Sequence, residues 1–401
     1  MNILLAASER EKKFLNQISW IKESLHLCGY GCEMIPPQKI LIQDDNYDLV
    51  IAFNKSALTN AQKWARKRKL PLIYTFTAES IDNCPQDLSV ADNFIMSHTS
   101  QFRFPLSTIH CINRLRFYPA IMQKTTDIEM CASPYVLVAI DSILPESHTL
   151  LKLLPVFNSL TSTQFILTGV SKSLSTFCNH NIHIIEEASD ILFHQTSFVI
   201  ASGKYVCMAI AAHKPCIVVG DRGYGGILDT ENFDVQFKHF FNGRIGAELD
   251  EYIPHEFIQN DITFLQRSTK KNLTFLQCNE IASKLKQKER ETLDFLKKII
   301  EKTFQFYQEF KDNPDNLCLK LSDSYIFQWE NDRLTISHVF CRKILTILEP
   351  EETKIVASFN KPEHINDVFL RFKEEYDKDN FMAFITELVH EKILIVDPAN
   401  D

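Results

Sequence analysis

The stretch SFVIASGKYVCMAIAAHKPCIVVGDRGYGG, residues 197–226, decides how the rest of this 401-residue chain is read. It opens on an apolar run from Phe198 to Ala201 and passes Gly203. It continues through Lys204 to Ala212, a segment that reads as a buried helix. A second apolar run, Cys216 to Val219, follows and ends in Gly220. Strand, tight turn, helix, strand is the repeating unit of a parallel sheet, whose strands are covered on both faces. Seven of the ten glycines fall between Gly203 and Gly246, and none follows. Glycine permits positive φ and close backbone approach. Successive N–H groups in a glycine loop form an anion-binding concavity. Gly223, Tyr224, Gly225 and Gly226 therefore read either as a strand-to-loop turn at a sheet edge or as a phosphate or nucleotide site at a strand's carboxyl end.

The same alternation runs outward from this stretch. On the N-terminal side, Ile3–Ala7, Asp48–Phe53 and Pro71–Phe76 are buried-looking strands. Between them lie a helix with Phe14, Ile18, Ile21 and Leu25 at helical spacing, and a second from Ala57 to Lys69 with a basic last turn. After a polar stretch the pattern restarts at Tyr135–Ile140. It continues through Gln164–Thr168, His183–Ile185 and the opening segment. The expected fold is α/β: two Rossmann-like domains, residues 1–130 and 131–260, with a helical segment at 261–312. Ligands in such sheets bind at the carboxyl ends of the strands.

Beyond a linker at Asn313–Asn316 the pattern predicts a small α+β, winged-helix-like unit over 316–401. Its expected strands are Cys318–Leu321, Ser324–Trp329 and Arg333–Ile336. Helices follow: one capped by Ser337 and carrying Phe340, Ile344, Ile347 and Leu348, one starting at Pro362, and one with Phe381, Ile385, Leu388 and Val389.

Composition narrows the classes. Hydrophobic residues at 45% and charged residues at 23% are ordinary globular values. A net charge of −8 gives no general attraction to nucleic acid or anionic lipid, so no nucleic-acid partner is expected. Eleven scattered cysteines without a CxxC pair argue against a zinc site and suit a reducing, cytoplasmic setting. No apolar stretch approaches the roughly 20 residues of a membrane span, so no integral membrane association is expected. No DxD pair occurs within residues 1–312, where the transfer site is expected, and metal-dependent transfer is not indicated.

The pattern over 197–220 resembles the donor-binding domain of GT-B glycosyltransferases, in which a strand, a glycine turn, a helix and another strand recur. Tyr47–Ala52 and Leu70–Thr75 look like strands of that family's acceptor domain. The resemblance covers roughly residues 1–305 and implies a glycosyltransferase that takes a nucleotide sugar, with no further cofactor. It departs from the family at Met208, where a ribose-binding glutamate is usual, and at Thr77, where a histidine often faces the cleft. Methionine cannot accept hydrogen bonds from two ribose hydroxyls. A non-catalytic GT-B-like scaffold or peptide carrier therefore stands beside the enzyme. The donor-binding candidates are Gly203, Lys204, Arg222, Gly223, Tyr224, Gly225, Gly226, Glu231 and Asn232. Lys204 and Arg222 would face the diphosphate, and Glu231 and Asn232 would either accept from hydroxyls or cap the next helix. No catalytic residue is assigned.

The C-terminal unit resembles PqqD-like peptide-recognition domains, on Tyr325–Phe327, Leu334–Ser337, Ile344–Leu348, Ile365–Val368 and Phe381–Leu388. That resemblance implies a precursor-peptide partner, as in Bacteroidetes-type peptide-modification systems. The peptide would be held by strand addition around Tyr325, Phe327, Phe384 and Leu388. The other reading is a unit that only packs and stabilises.

Overall fold

The computed structural model describes residues 1–7, 12–41, 46–76, 91–96, 112–114, 134–141, 148–169, 172–186, 188–269, 275–322, 325–330, 332–338 and 344–396. Thr77 and Phe340 lie outside them. The chain packs as two units. One joins Met1–Arg116 to Asp294–Asp401, and the other is Phe117–Leu293.

The first unit begins with six strands, β1 (Asn2–Ala6), β2 (Gly31–Ile35), β3 (Leu49–Phe53), β4 (Leu72–Phe76), β5 (Asn93–Met96) and β6 (Ile112–Arg114). They form one parallel sheet in the order β2-β1-β3-β4-β5-β6. Helices α1 (Lys12–Leu27), α2 (Pro37–Ile40) and α3 (Asn54–Arg68) connect the first four strands. Every residue of β3 is fully buried, which is why it reads as an unbroken apolar run. Full burial contributes about 1.5–3 kcal/mol for each large aliphatic side chain. On the face of the sheet that α3 covers, Trp64 packs with Tyr47, Val50 and Tyr74.

The second unit carries β7 (Tyr135–Ala139), β8 (Gln164–Thr168), β9 (Ile182–Ile185), β10 (Phe198–Ala201), β11 (Cys216–Gly220) and β12 (Gly223–Ile227). Their order is β12-β11-β10-β7-β8-β9, parallel except for β12, which runs antiparallel to β11. This is the doubly wound order of a Rossmann sheet, with its topological switch point between β7 and β10. Helices α4 (His148–Ser159), α5 (Asp190–His194), α6 (Lys204–Ala211), α7 (Phe233–Lys238) and α8 (His255–Thr269) surround it. On one face Val206, Ala209 and Ile210 of α6 meet Leu137, Ala139, Val199 and Ala201. On the other, Leu153 and Phe157 of α4 and Ile258 and Ile262 of α8 meet Val136, Val138, Ile200 and Val219. Helix α9 (Phe275–Asp312) contains the boundary between the units. Two Rossmann-like sheets are thus present, as expected.

The C-terminal residues of the first unit hold two antiparallel sheets. One is β17-β13-β18, from β13 (Cys318–Leu321), β17 (Glu363–His364) and β18 (Leu394–Val396). The other is β14-β15-β16, from β14 (Tyr325–Glu330), β15 (Arg333–His338) and β16 (Ile344–Leu348). Here the helix expected from Ser337 is replaced by a strand. Leu334, Thr335 and Ile336 pair with Leu348, Ile347 and Thr346, and the β-branched Ile-Leu-Thr-Ile-Leu run suits that pairing better than a helix. The helix begins instead at Pro350: α10 (Pro350–Ser358) has proline in its first turn and a capping box between Glu349 and Glu352. The next, α11, runs Ile365–Phe372, so Pro362 precedes a two-residue strand rather than opening a helix. The last, α12 (Lys378–His390), is capped by Asp377, which accepts from the N–H groups of Asp379 and Asn380. The linker segment contains a single 3-10 turn, Pro314–Asn316.

These C-terminal elements dock on the first sheet. Lys392, in a left-handed conformation at φ 58°, contacts the Asp92 carboxylate and lies 2.9 Å from the Tyr307 hydroxyl. Arg66 pairs with Glu391 at 2.9 Å.

Candidate functional site

Polar side chains gather at the carboxyl end of the second sheet, around its switch point. Asp141 follows β7, Ser202 and Gly203 follow β10, and Asp221 follows β11. Ser202 ties the first two strand ends together. Its hydroxyl accepts from the Asp141 N–H at 2.8 Å and donates to the Asp141 carbonyl at 3.2 Å. Gly203 stands at φ 54°, ψ −129°, outside the regions open to a residue with a side chain. A Cβ there would lie 2.5 Å from Asp141 Oδ2. Only glycine lets the carboxylate come this close to the start of α6.

The first amides of α6 are filled one by one. Gly203 N–H donates to the Phe241 carbonyl, Tyr205 N–H to Ser202, and Val206 N–H to Gly203. Lys204 N–H donates to Asp141 Oδ2 at 3.3 Å. The Phe241 carbonyl is brought there by a turn in which Phe240 and Phe241 both take positive φ, 58° and 52°. Two consecutive bulky residues in that region are backbone strain of the kind that collects at functional sites. The Lys204 ammonium lies 4.9 Å from the Tyr205 ring centroid. Burial pushes the Asp141 carboxyl above its ordinary range, Lys204 opposes this, and Asp221 adds to it. Asp221 is itself buried and accepts from the Thr149 hydroxyl of α4 at 2.8 Å. Thr168, at the carboxyl end of β8, has a buried hydroxyl with no partner among the described residues.

The structure brings Gly203 and Lys204 into this cluster but separates the other donor candidates. Gly223–Gly226 are not a loop; they lie in β12, and Gly220 pairs with Gly223 across a two-residue turn. The two amides of that turn are already used. Asp221 N–H donates to Asn242 Oδ1 at 3.0 Å and Arg222 N–H to the Asn242 carbonyl at 3.1 Å. The glycines serve backbone packing: a Cβ on Gly225 would lie 2.8 Å from the Gly243 carbonyl, and one on Gly223 2.9 Å from that of Tyr252. The Arg222 guanidinium donates to the Ala247 carbonyl, bracing the segment that follows α7. The Tyr224 hydroxyl donates to Asp261 of α8; burial and this carboxylate raise its pKa. Because β12 reverses direction, it carries Glu231 and Asn232 toward the amino end of the parallel strands, where Leu228 N–H meets the Cys216 carbonyl. Asn232 braces that turn, accepting from Asp229 N–H and donating to the Ile227 carbonyl. Glu231 is exposed. Met208 is partly buried against the α6 side of the core.

In the C-terminal unit Tyr325 and Leu388 are core residues, 5% and 2% exposed. The Tyr325 hydroxyl donates to the Glu391 carbonyl at 2.5 Å. Phe327 and Phe384 are partly buried against the same core, and β14 is an edge strand. Asp141, Thr149, Ser202, Asp221 and Asn242 were missed by sequence reasoning. The available signal was a polar residue directly after an apolar run, at Asp141, Ser202 and Asp221.

Among the described residues no group of three or more His, Cys, Asp or Glu is placed to hold a metal ion. No helix among them is long and apolar enough to cross a membrane. No family model and no curated protein matches the chain. Solved structures similar to it include Anabaena HepE in complex with UDP and glucose, at 12% identity and a TM-score of 0.49, covering 76% of this chain and 100% of that one. The spinosyn rhamnosyltransferase SpnG is similar at 10% identity and a TM-score of 0.41, covering 75% and 100%. The glycosyltransferase SnogD from Streptomyces nogalater is similar at 12% identity and a TM-score of 0.40, covering 75% and 98%.

Proposed function

We propose that this protein is a glycosyltransferase whose nucleotide-sugar donor binds at the carboxyl end of the second sheet. The observation that carries the reading is the placement of Gly203, Lys204 and the start of α6 at the switch point between β7 and β10. In sugar transfer the bond from the anomeric carbon to the diphosphate breaks, an acceptor oxygen bonds to that carbon, and negative charge builds on the leaving group. The Lys204 ammonium and the N-terminal end of α6 supply positive potential there. Arg222, held by Ala247, contributes through the segment it braces. Calorimetric titration with UDP-, GDP- and dTDP-sugars tests the reading: one of them binds, and Lys204→Ala weakens that binding. If none binds, the reading is lost.

A second reading, a scaffold that keeps the fold without transfer, is favoured by one observation. The Asp141 carboxylate sits on the Lys204 amide where a phosphate oxygen would be sought. Binding of a nucleotide sugar without turnover, in the presence of acceptor, would support it.

The acceptor we propose is a ribosomally made precursor peptide held by the C-terminal unit. Support comes from the edge strand β14 and from Phe327 and Phe384, which remain partly open while Tyr325 and Leu388 fill the core. Selection from a displayed peptide library should recover binders whose affinity falls with Phe327→Asp. Binders indifferent to that change would count against it.

A further inference from the structure

Almost all of the chain's net charge sits at its C-terminal end. Residues 313–401 contain 17 Asp and Glu against 10 Lys and Arg, while the 312 residues before them contain 34 against 33. Within the C-terminal unit, carboxylates collect at one end of β14. Glu330 closes that strand and Asp332 lies in the turn behind it, both exposed. Arg333, which opens β15, is bonded to Glu349 at 3.1 Å, and the Glu349 N–H donates to Glu352. Burial first, and then the Glu351, Glu352 and Glu375 carboxylates, push the Tyr376 hydroxyl above its ordinary range. The acidic rim therefore runs from the end of β14 over the start of α10 to the turn before α12.

Beside this rim β14 presents an aromatic row. Cross-strand partners share a face of the sheet. Phe327 is paired with Ile336 and Trp329 with Leu334, and both partners are fully buried. The two aromatic rings thus lie on the core face, yet Trp329 is 46% exposed and Phe327 is only partly buried. Glu330 and its partner Arg333 lie on the opposite face. Among the described residues β14 pairs with β15 alone, so its other edge is open. A strand laid on that edge alternates its side chains between the same two faces.

We infer that the segment taken by the C-terminal unit is a cationic strand, with basic residues alternating with apolar ones, the apolar side chains continuing the Phe327–Trp329 row and the basic ones meeting the rim at Glu330 and Asp332. This rests on the peptide reading proposed above and adds its charge. Nucleic acid and anionic lipid carry the wrong sign for this rim, and a second copy of the chain brings the same excess of carboxylates.

The test uses the full chain and three labelled peptides of about ten residues, in which valine alternates with lysine, glutamine or glutamate, read by fluorescence anisotropy. The lysine peptide binds at least about tenfold tighter than the glutamate peptide, with the glutamine peptide between them. Raising NaCl from about 0.05 M to about 0.5 M shortens the screening length to about 4 Å, weakening the lysine peptide and leaving the glutamine peptide unchanged. Glu330→Gln with Asp332→Asn, both at exposed positions, weakens the lysine peptide by about two- to tenfold. Asp190→Asn with Glu256→Gln removes the same charge from the second unit and leaves its affinity as in wild type. That control separates the β14 rim from a general attraction of opposite charges. Equal affinity for the three peptides, or equal losses in the two double variants, overturns the inference and leaves the peptide reading standing. Failure of the lysine peptide to bind also overturns it; the peptide reading falls with it only if the displayed library yields no binder.

Discussion

Replacing Asp92 by Ala removes the carboxylate that Lys392 contacts, from a place where the two side chains are 8% and 13% exposed. Breaking a buried ion pair from one side leaves an uncompensated charge and costs about 3–5 kcal/mol. The Leu72 N–H, which donates to Asp92 Oδ2 at 2.7 Å, also loses its acceptor. We therefore expect a loss of about 4 kcal/mol or more. All three tryptophans, Trp20, Trp64 and Trp329, lie in the first unit, so fluorescence during urea unfolding reports that unit alone. The pH dependence sharpens the test. Burial and the Arg66 guanidinium push Lys392 down to about 7, while contact with the Asp92 carboxylate opposes them. Without Asp92 only the downward push remains. The unfolded chain, with an ordinary lysine, then binds more protons than the folded one from about pH 7 to about 10.5, and stability rises with pH across that window. Adding Lys392→Met to Asp92→Ala removes the stranded charge and should recover part of the loss. A destabilisation under about 1 kcal/mol, or a variant whose stability does not rise between about pH 7 and 10, would refute the reasoning.

Arg222→Ala and Lys204→Ala should separate structure from binding. The first frees the Ala247 carbonyl and lowers the melting temperature of the second unit; the second leaves the melting temperature near wild type and weakens anion binding. Gly220→Ala places a Cβ 2.9 Å from Asn242 backbone atoms and should destabilise by about 1–3 kcal/mol in thermal unfolding. A neutral result would mean that the segment after α7 yields easily.

The parallel strands were legible where burial is two-sided. The runs at β3, β7, β8, β10 and β11 have no polar residue to interrupt them, so periodicity alone finds them. β2, Gly-Cys-Glu-Met-Ile at the sheet edge, has only one fully buried residue, Ile35, and leaves no such run. β12 hid behind its glycines: composition reports that close approach is needed, but not whether a ligand or the chain's own Asn242–Tyr252 segment approaches. β16 and a helix share the same apolar letters, and the deciding contact is with β15, earlier in the chain. Of the candidate site, Gly203 and Lys204 were within reach because they are local to one turn. Asp141 is 63 residues from the amide it accepts from, and no local pattern contains that distance.

The first unit is discontinuous: the chain leaves it near Arg116 and returns near Asp294. During synthesis, Asp92 emerges 300 residues before Lys392. At ordinary elongation rates that interval lasts about 15–60 s. For that time the nascent chain carries a finished sheet whose docking residues, Asp92 and Arg66, lack their partners, while the whole second unit is made and folds as an insertion. Closure must then join ends separated by a folded body rather than by a loose loop, a late step of high contact order. Chaperone dependence should accordingly concentrate on the last hundred or so residues, and ribosome stalling just before Lys392 should yield chains that are assembled everywhere except at this latch.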